Sequence, residues 1–178
     1  TSLLLQVSGG MKLPTMVLTM ICCIILGMGL PTTAAFIITA TLCAPAIIEL
    51  GITPMGAYMF VCYFACLSAI TPPVALAAFA ASGISGAKAM DTGLCATRLG
   101  LAGFLIPYFF CFTPAMLMQG NLIDILQVCV TSLIGIYLLA GGLEGYMWRI
   151  LHKWERVLLI AAAGLMVDSG GVTDLIGI

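Results

Sequence analysis

The chain has 178 residues, of which 62% are hydrophobic and only 7% are charged, and its formal net charge at pH 7 is −1. A soluble domain carries roughly 25% charged residues, so this composition predicts an all-α integral membrane protein in contact with lipid. The weak net charge argues against nucleic acid as a partner, and the single histidine argues against a metalloenzyme or a Cys/His hydrolase. We therefore expect a membrane protein that is not an enzyme.

The chain begins TSLLLQVSGG, without a Met, a charged segment or a small-residue cleavage site. We interpret residues 1–10 as the end of a preceding membrane helix. The absence of both a start residue and a signal peptide leads us to expect a piece of a longer polypeptide.

Residues 13–48 contain no charged side chain, and their length decides their predicted shape. One straight helix of this length would run about 54 Å against a hydrocarbon core of about 30 Å, whereas two full spans with a turn need more than about 40 residues. A re-entrant helical hairpin over residues 12–48 fits between these limits. Its arms are predicted at residues 12–26 and 34–48, with GMGLPTT at residues 27–33 as the tip.

A second polar break, SAITPP at residues 68–73, interrupts the next apolar stretch. Unpaired backbone groups are costly in lipid, so such breaks are tolerated where they line a polar cavity or are buried in protein. We therefore predict a broken transmembrane helix over residues 57–83. Broken helices of this kind indicate substrate and ion sites in secondary transporters.

The next apolar stretch predicts a helix over residues 98–118, which completes a core of residues 11–120. Asp91 with Thr92 reads as a helix cap before it, and Glu49 as the solvated base of the hairpin.

Residues 121–178 are predicted to form a C-terminal extension. It begins with a membrane helix from about residue 122 to 143, capped by Asn121. In residues 146–158, basic side chains recur at helical spacing beside tryptophans and leucines, a pattern typical of an interfacial basic helix. Too few apolar residues follow for a span, so the end of the chain is either re-entrant or truncated.

The positive-inside rule orients these segments. In the predicted arrangement Lys12 lies alone on one side of the membrane, and the other five basic residues share the opposite side; they are Lys88, Arg98, Arg149, Lys153 and Arg156. The hairpin is therefore expected to open to the outside. A single crossing over residues 12–48 would put Lys12 with the others, so the length of that segment decides for the hairpin.

The two breaks supply the candidate binding groups. Pro31 with Thr32 and Thr33 begins the second arm, and Thr71 before Pro72 is predicted as the N-cap of the second half-helix. Both half-helix N-termini favour an anionic group. Carbonyls at the ends of the preceding half-helices, together with the hydroxyls, favour Na⁺.

Each site interpretation has an alternative. One proline kink in a membrane helix is usually only a kink, although two breaks that both join Pro to Ser or Thr favour a site. Arg98 either meets a substrate carboxylate or extends to the interface. The whole chain is alternatively a structural or assembly subunit of the membrane without its own transport site, whereas the charge rings or filter loop of a channel are not visible.

Three motifs in order resemble a known family. GMGLPTTAAFIITATLCAPAI, ITPPVALAAFAASGISGA and ATRLGLAGFLIPYFF are similar to the C-terminal part of the large membrane subunit of tripartite ATP-independent periplasmic (TRAP) transporters. The likeness is closest to the fused permeases served by TAXI-type binding proteins, and it extends more loosely to the C-terminal tail.

The resemblance implies the second half of an inverted-repeat, elevator-type transporter in the bacterial inner membrane, a multi-pass permease. Such a permease imports an organic carboxylate delivered by a periplasmic binding protein, with Na⁺ as the coupling ion and no other cofactor. Its further partners are the rest of the permease chain and any small membrane subunit. Because the first repeat is absent, we do not expect this chain to transport alone.

The resemblance also assigns residues. Those that match the Na⁺ region are Gly29, Thr32, Thr33, Ser68 and Thr71. We assign the substrate to Thr71, Pro72 and Arg98.

Overall fold

The computed structural model describes residues 6, 9, 11–119, 122–146 and 151–167. In these residues the regular structure consists of eight α-helices and two short 3₁₀ helices, which confirms the all-helical prediction. The chain divides into two compact units, Thr1–Gly100 and Leu101–Ile178. This division lies about one helix before the predicted boundary at residue 120.

The first unit contains five α-helices and one 3₁₀ turn. In chain order they are α1 (Lys12–Gly27), α2 (Thr32–Glu49), α3 (Pro54–Leu67), the 3₁₀ turn Ser68–Ile70, α4 (Leu76–Ser85) and α5 (Ala89–Leu99). The predicted helix end at residues 1–10 lies outside the described residues, apart from residues 6 and 9.

Helices α1 and α2 form an antiparallel pair whose bounds are close to those of the predicted hairpin arms. Next to the turn, a Cβ atom on Gly27 would lie 3.6 Å from the Cβ of Ala35. Farther from the turn, the buried side chains of Cys23 and Cys43 are neighbours. The chain reverses at Gly29, whose φ of +77° is a left-handed conformation that glycine adopts without a steric penalty.

Helix α2 is longer than the predicted arm. It has 18 residues, about 27 Å, and is one of two helices in the described residues that are long and apolar enough to cross a membrane. The other candidate span is Ile125–Glu144. The re-entrant placement of the hairpin therefore stays a prediction.

Helix α3 supplies much of the buried core of the first unit. Phe60 and Phe64 lie on one face of α3, are fully buried, and meet edge to face with ring centroids 4.8 Å apart. Met16 of α1 and Ile47 of α2 are fully buried as well. Thr53 caps the start of α3 by accepting a hydrogen bond from the Gly56 N–H, and Pro54 takes the first helical position.

The broken helix is interrupted at the position that the sequence predicts, but the non-helical segment is longer than predicted. After the 3₁₀ turn, α4 does not begin until Leu76, whereas the sequence predicts a half-helix directly after Thr71. Pro72 and Pro73 have no N–H, and each disfavours helical geometry in the residue before it. The chain therefore becomes helical again only after both prolines.

The segment after α4 also differs from the prediction. Only residues 86–88 connect α4 to α5, and Asp91 lies in the first turn of α5, where a carboxylate favours the helix N-terminus. The predicted single helix over residues 98–118 is wrong in its bounds. Those residues include the end of α5, the helix α6 (Leu101–Phe112) and the 3₁₀ helix Pro114–Leu117.

The second unit consists of α6, that 3₁₀ helix, α7 (Leu122–Glu144) and α8 (Lys153–Val167). Its apolar contacts include the buried Val128 and Leu139 of α7 and Ala163 of α8. Helix α7 agrees with the predicted membrane helix. The predicted cap at Asn121 lies outside the described residues.

The connection between α7 and α8 corrects the predicted interfacial helix over residues 146–158. The helix begins only at Lys153, because the Glu155 carboxylate accepts a hydrogen bond of 2.8 Å from the His152 N–H at its N-terminus. Trp148 and Arg149 lie outside the described residues. Helix α8 packs along α7, and its placement at a membrane interface stays a prediction.

Arg156 closes the C-terminal end of α7. Its guanidinium donates hydrogen bonds to the carbonyl oxygens of Gly142, at 3.0 Å, and Leu143, at 2.6 Å. These carbonyls have no partner within their own helix, and they form the negative end of the helix dipole. Arg156 therefore stabilises the α7–α8 pair through specific hydrogen bonds, in addition to the charge that the sequence analysis uses for orientation.

We expect Arg156→Met to loosen α8, because hydrogen bonds from a charged donor contribute about 1.5–3 kcal/mol each. Amide hydrogen exchange in α8 of the purified protein should become about tenfold faster or more. Lys153→Met removes an equal charge from an exposed position of the same helix and is the matched control. Equal exchange in the two variants would show that Arg156 acts only as a charge.

The antiparallel pair places Lys12 and Glu49, both exposed, at the same end of the hairpin. In a background without the native cysteines, Lys12→Cys and Glu49→Cys should react with an impermeant thiol reagent from the periplasmic side. Lys88→Cys, at the start of α5, should react from the cytoplasmic side. Labelling of positions 12 and 49 from opposite sides would mean that the pair crosses the membrane in another way.

Candidate functional site

The hairpin tip contacts the start of the second break. A Cβ atom on Gly27, the last residue of α1, would lie 2.6 Å from the Oγ of Ser68. Real Cβ atoms do not approach an oxygen this closely, so the contact requires glycine. The two breaks, about 40 residues apart in the sequence, are therefore neighbours in the first unit.

A second contact lies farther along the tip. A Cβ atom on Gly29 would lie 3.6 Å from Cγ1 of Val74, which is an ordinary van der Waals distance. Gly29 and Val74 are both exposed, whereas Ser68 is 2% exposed. The contact between the breaks thus runs from a buried end at Ser68 to an open end at Val74.

The hydroxyls of the second break donate to backbone carbonyls of α3. Ser68 Oγ donates to the Ala65 carbonyl at 2.7 Å, and Thr71 Oγ1 donates to the Leu67 carbonyl at 2.8 Å. A hydroxyl has one proton and two acceptor lone pairs. Each oxygen therefore keeps lone pairs with which to coordinate a cation.

The predicted role of Thr71 as the N-cap of α4 is wrong. The N-cap of α4 is Ala75, and the Thr71 side chain donates backward to α3 instead of accepting from α4. The reason is the delayed helix start after Pro72 and Pro73. Thr71 thus belongs to the end of the first half-helix.

The first break places its threonines at the exposed start of α2. Pro31 is the N-cap residue, and its carbonyl accepts a hydrogen bond from the Ala35 N–H at 2.9 Å. Thr32 and Thr33 take the first two helical positions, and both are exposed. They share the tip with Gly29, but their exposure separates them from the buried Ser68.

Helix α5 supports the second break, a role that the sequence analysis does not predict. Thr97 Oγ1 lies 3.0 Å from the Ile70 carbonyl oxygen, a contact between residues 27 positions apart. A Cβ atom on Gly93 would lie 3.2 Å from Cγ of Pro72. One on Gly100 would lie 3.0 Å from Cδ1 of Ile70. The sequence does contain a sign of this role. Gly93, Thr97 and Gly100 are spaced i, i+4, i+7, which places three small residues on one side of the helix.

The two remaining candidate substrate residues occupy different surroundings. Pro72, within the break, is half-buried against α5, near Gly93. Arg98 is exposed and follows Thr97, so its side chain leaves α5 about 100° away from the face that contacts the break. The structure therefore groups Pro72, but not Arg98, with the contact between the breaks.

The chemistry available at the contact comes from oxygen atoms. Across the part of the chain that the structure describes, no three His, Cys, Asp or Glu side chains form a group that could hold a metal ion. The breaks instead offer hydroxyls and helix-end carbonyls, which are hard ligands of the kind that alkali and alkaline-earth cations take.

An all-helical, strongly apolar chain in which a helical hairpin meets a broken helix has the design of a secondary-transporter membrane domain. The chain belongs to the DctM component family of tripartite ATP-independent periplasmic transporters, because the model of that family matches residues 1–125 of its 178 residues. This is a membrane transport family and not an enzyme family. The match covers both breaks and ends near the start of α7.

No curated protein and no solved structure matches the chain. The family match is therefore the comparison on which its assignment rests.

The contact between Gly27 and Ser68 predicts opposite effects for two glycine substitutions. Gly27→Ala should destabilise the protein by about 1–3 kcal/mol, because the methyl group overlaps the Ser68 hydroxyl. Gly83→Ala in α4 has no heavy atom within 4 Å of the added methyl and should stabilise by up to about 1 kcal/mol. Thermal unfolding of the purified variants measures both changes. Equal melting temperatures would contradict the close approach of the tip to the break.

Proposed function

We propose that this chain is the permease component of a Na⁺-coupled secondary transporter that imports an organic carboxylate delivered by a periplasmic binding protein. The observation that supports this most directly is the contact between the hairpin tip and the second break, through Gly27 and Ser68. This contact brings two polar interruptions of apolar helices together. Membership in the DctM family supplies the transport function.

Na⁺ as the coupling ion follows from the ligand chemistry. The hydroxyls of Ser68 and Thr71 both donate their hydrogen bonds to backbone carbonyls, so their oxygen lone pairs face a bound ion as acceptors. The half-helices that end at Gly27 and at Ile70 direct their negative dipole ends toward the same region. Neutral oxygens with this orientation favour a monovalent alkali cation over a divalent one, and no carboxylate or imidazole in either break offers a proton-coupled alternative.

A carboxylate substrate follows from the opposite helix ends. Helix α2 begins at the first break and α4 shortly after the second, so their positive dipole ends favour an anion there. In α4 the Leu76 N–H already donates to the Val74 carbonyl, so the following N–H groups of that turn would bind the anion. Thr71 and Pro72 lie in the break itself, before α4 begins at Leu76, and would contact such a group from that side. Arg98 is exposed on the neighbouring helix and would supply a charge only if the substrate reaches beyond the break.

The remaining assignments follow the family and the sequence. A tripartite periplasmic transporter implies a periplasmic binding protein, here of the TAXI type, and an inner-membrane location with several crossings. The helices of this chain would form the second repeat of an inverted-repeat elevator, and a first repeat and any small membrane subunit would complete it.

Thr71→Val and Thr32→Val test the ion site, because each keeps the side-chain shape and removes one hydroxyl. In the permease reconstituted with its binding protein, the Na⁺ concentration for half-maximal uptake should rise about tenfold if the hydroxyl binds the ion. Thr41→Val is the matched control, since its hydroxyl donates to carbonyls within α2, away from the tip.

Expression and thermal stability are followed on the same variants, because Thr71→Val also removes the bond to the Leu67 carbonyl. Unchanged Na⁺ dependence in both variants, with normal folding, would remove these hydroxyls from the site. Uptake that never depends on Na⁺ would favour a different coupling ion. Absence of any ion or substrate binding at the breaks would favour a structural or assembly subunit.

A further inference from the structure

We infer that Thr97 is a positioning residue for the second break, which it controls by holding the carbonyl group of Ile70. The Thr97 hydroxyl oxygen lies 3.0 Å from the Ile70 carbonyl oxygen, across 27 residues of sequence. Ile70 is the last residue of the 3₁₀ turn that ends the first half-helix. This inference rests on the proposed function, since it assigns Thr97 to the same ion site.

The Ile70 carbonyl needs a donor from outside its own segment. In a continuing 3₁₀ helix its partner would be the N–H of residue 73. That residue is Pro73, which has no N–H. A carbonyl without a partner is costly in a membrane protein, so a hydroxyl from a neighbouring helix is an effective substitute.

Thr97 also lies 3.0 Å from the Gly93 carbonyl, one turn earlier in α5, and a hydroxyl has only one proton to donate. The Gly93 carbonyl, however, occupies the interior of a regular helix, where the N–H four residues later is its partner. The two acceptors are therefore unequal. Donation to Ile70 satisfies a carbonyl oxygen that has no N–H partner in the helical hydrogen-bond pattern.

Two glycines allow this approach. Gly93 lies one turn before Thr97 on the same face of α5, and Gly100, the C-cap residue of α5, lies one turn after it on the same side. Added Cβ atoms would lie 3.2 Å from Pro72 and 3.0 Å from Ile70, respectively. Small residues on both sides thus bring the α5 backbone close enough for a short threonine side chain to reach the break.

The consequence for the ion site is geometric. A carbonyl oxygen has two lone pairs, so Ile70 can accept from Thr97 and still present an oxygen toward the break. The hydrogen bond fixes the direction of that carbonyl at the negative end of the half-helix. Without it the peptide would turn freely, and a bound cation would have to order it. Thr97 acts on the ion through Ile70 and is not itself a ligand.

Thr97→Val tests this role, with Thr92→Val as the matched control. Thr92 lies on the same helix, and its hydroxyl donates to the Lys88 carbonyl at 3.0 Å, the same intrahelical bond without a contact to the break. In the reconstituted permease, Thr97→Val should raise the half-saturating Na⁺ concentration about 3- to 10-fold with little change in maximal rate. Thr92→Val should change it less than twofold, and Thr97→Ser should restore the wild-type value.

Hydrogen exchange of the amides in residues 70–76 gives a second measurement that does not depend on transport. It should be faster in Thr97→Val than in Thr92→Val or Thr97→Ser, because the break loses its fixed carbonyl. If Thr97→Val does not reach the membrane, Thr97→Cys, which retains a weak S–H donor, takes its place and should give an intermediate result.

The outcomes separate this inference from the proposed function. Identical exchange and identical Na⁺ dependence for the position 97 and position 92 variants would overturn the role of Thr97. Wild-type uptake that does not depend on Na⁺ would overturn the proposed coupling. In that case faster exchange in Thr97→Val alone would still establish Thr97 as the residue that holds the break, and unchanged exchange would reject that role too.

Discussion

The first unit depends on how a broken helix satisfies its carbonyl groups in apolar surroundings. Ile70 lies where the helical hydrogen-bond ladder stops, because its partner in a continuing 3₁₀ turn would be the N–H that Pro73 lacks. The Thr97 hydroxyl from α5 supplies this missing donor, and the Thr71 hydroxyl adds a bond to the Leu67 carbonyl within the break itself. An unpaired backbone group in hydrocarbon costs several kcal/mol, so these side chains make the interruption tolerable. Without them the break would have to close or take up water.

The same interruption creates the chemistry of the proposed site. A helix that stops leaves oriented peptide dipoles, and the hairpin tip brings a second set of helix ends against the first. Gly27 allows this contact because Ser68 lies where its Cβ would be. Hydroxyls whose O–H groups already donate to carbonyls then offer their lone pairs as neutral acceptors. The proposed cation site thus consists of oxygens placed by backbone geometry, without any acidic side chain in the breaks.

Several parts of the fold could be predicted because they follow from length and local chemistry. The uncharged stretch after Lys12 is too long for one span, and its turn at GMGLPTT contains the glycine and proline that the reversal needs. The re-entrant placement of this pair stays a prediction. The break at Ser68 was predictable from its proline pair, although its end at Ala75 was not. Helix α7 was predictable from apolar length alone. The three motifs also indicated the family that the comparison establishes.

The sequence by itself therefore determined the membrane class, the two interruptions and the family, since composition and proline placement act locally along the chain. Only the tertiary structure decided which groups meet. The contact of Gly27 with Ser68, the bond from Thr97 to Ile70 and the closure of α7 by Arg156 join residues 13 to 41 positions apart. The periodicity of the sequence shows which residues share a helix face, but it does not show which other helix packs against that face. Partners for orphan carbonyls are chosen by the packing of whole helices, which no local pattern specifies.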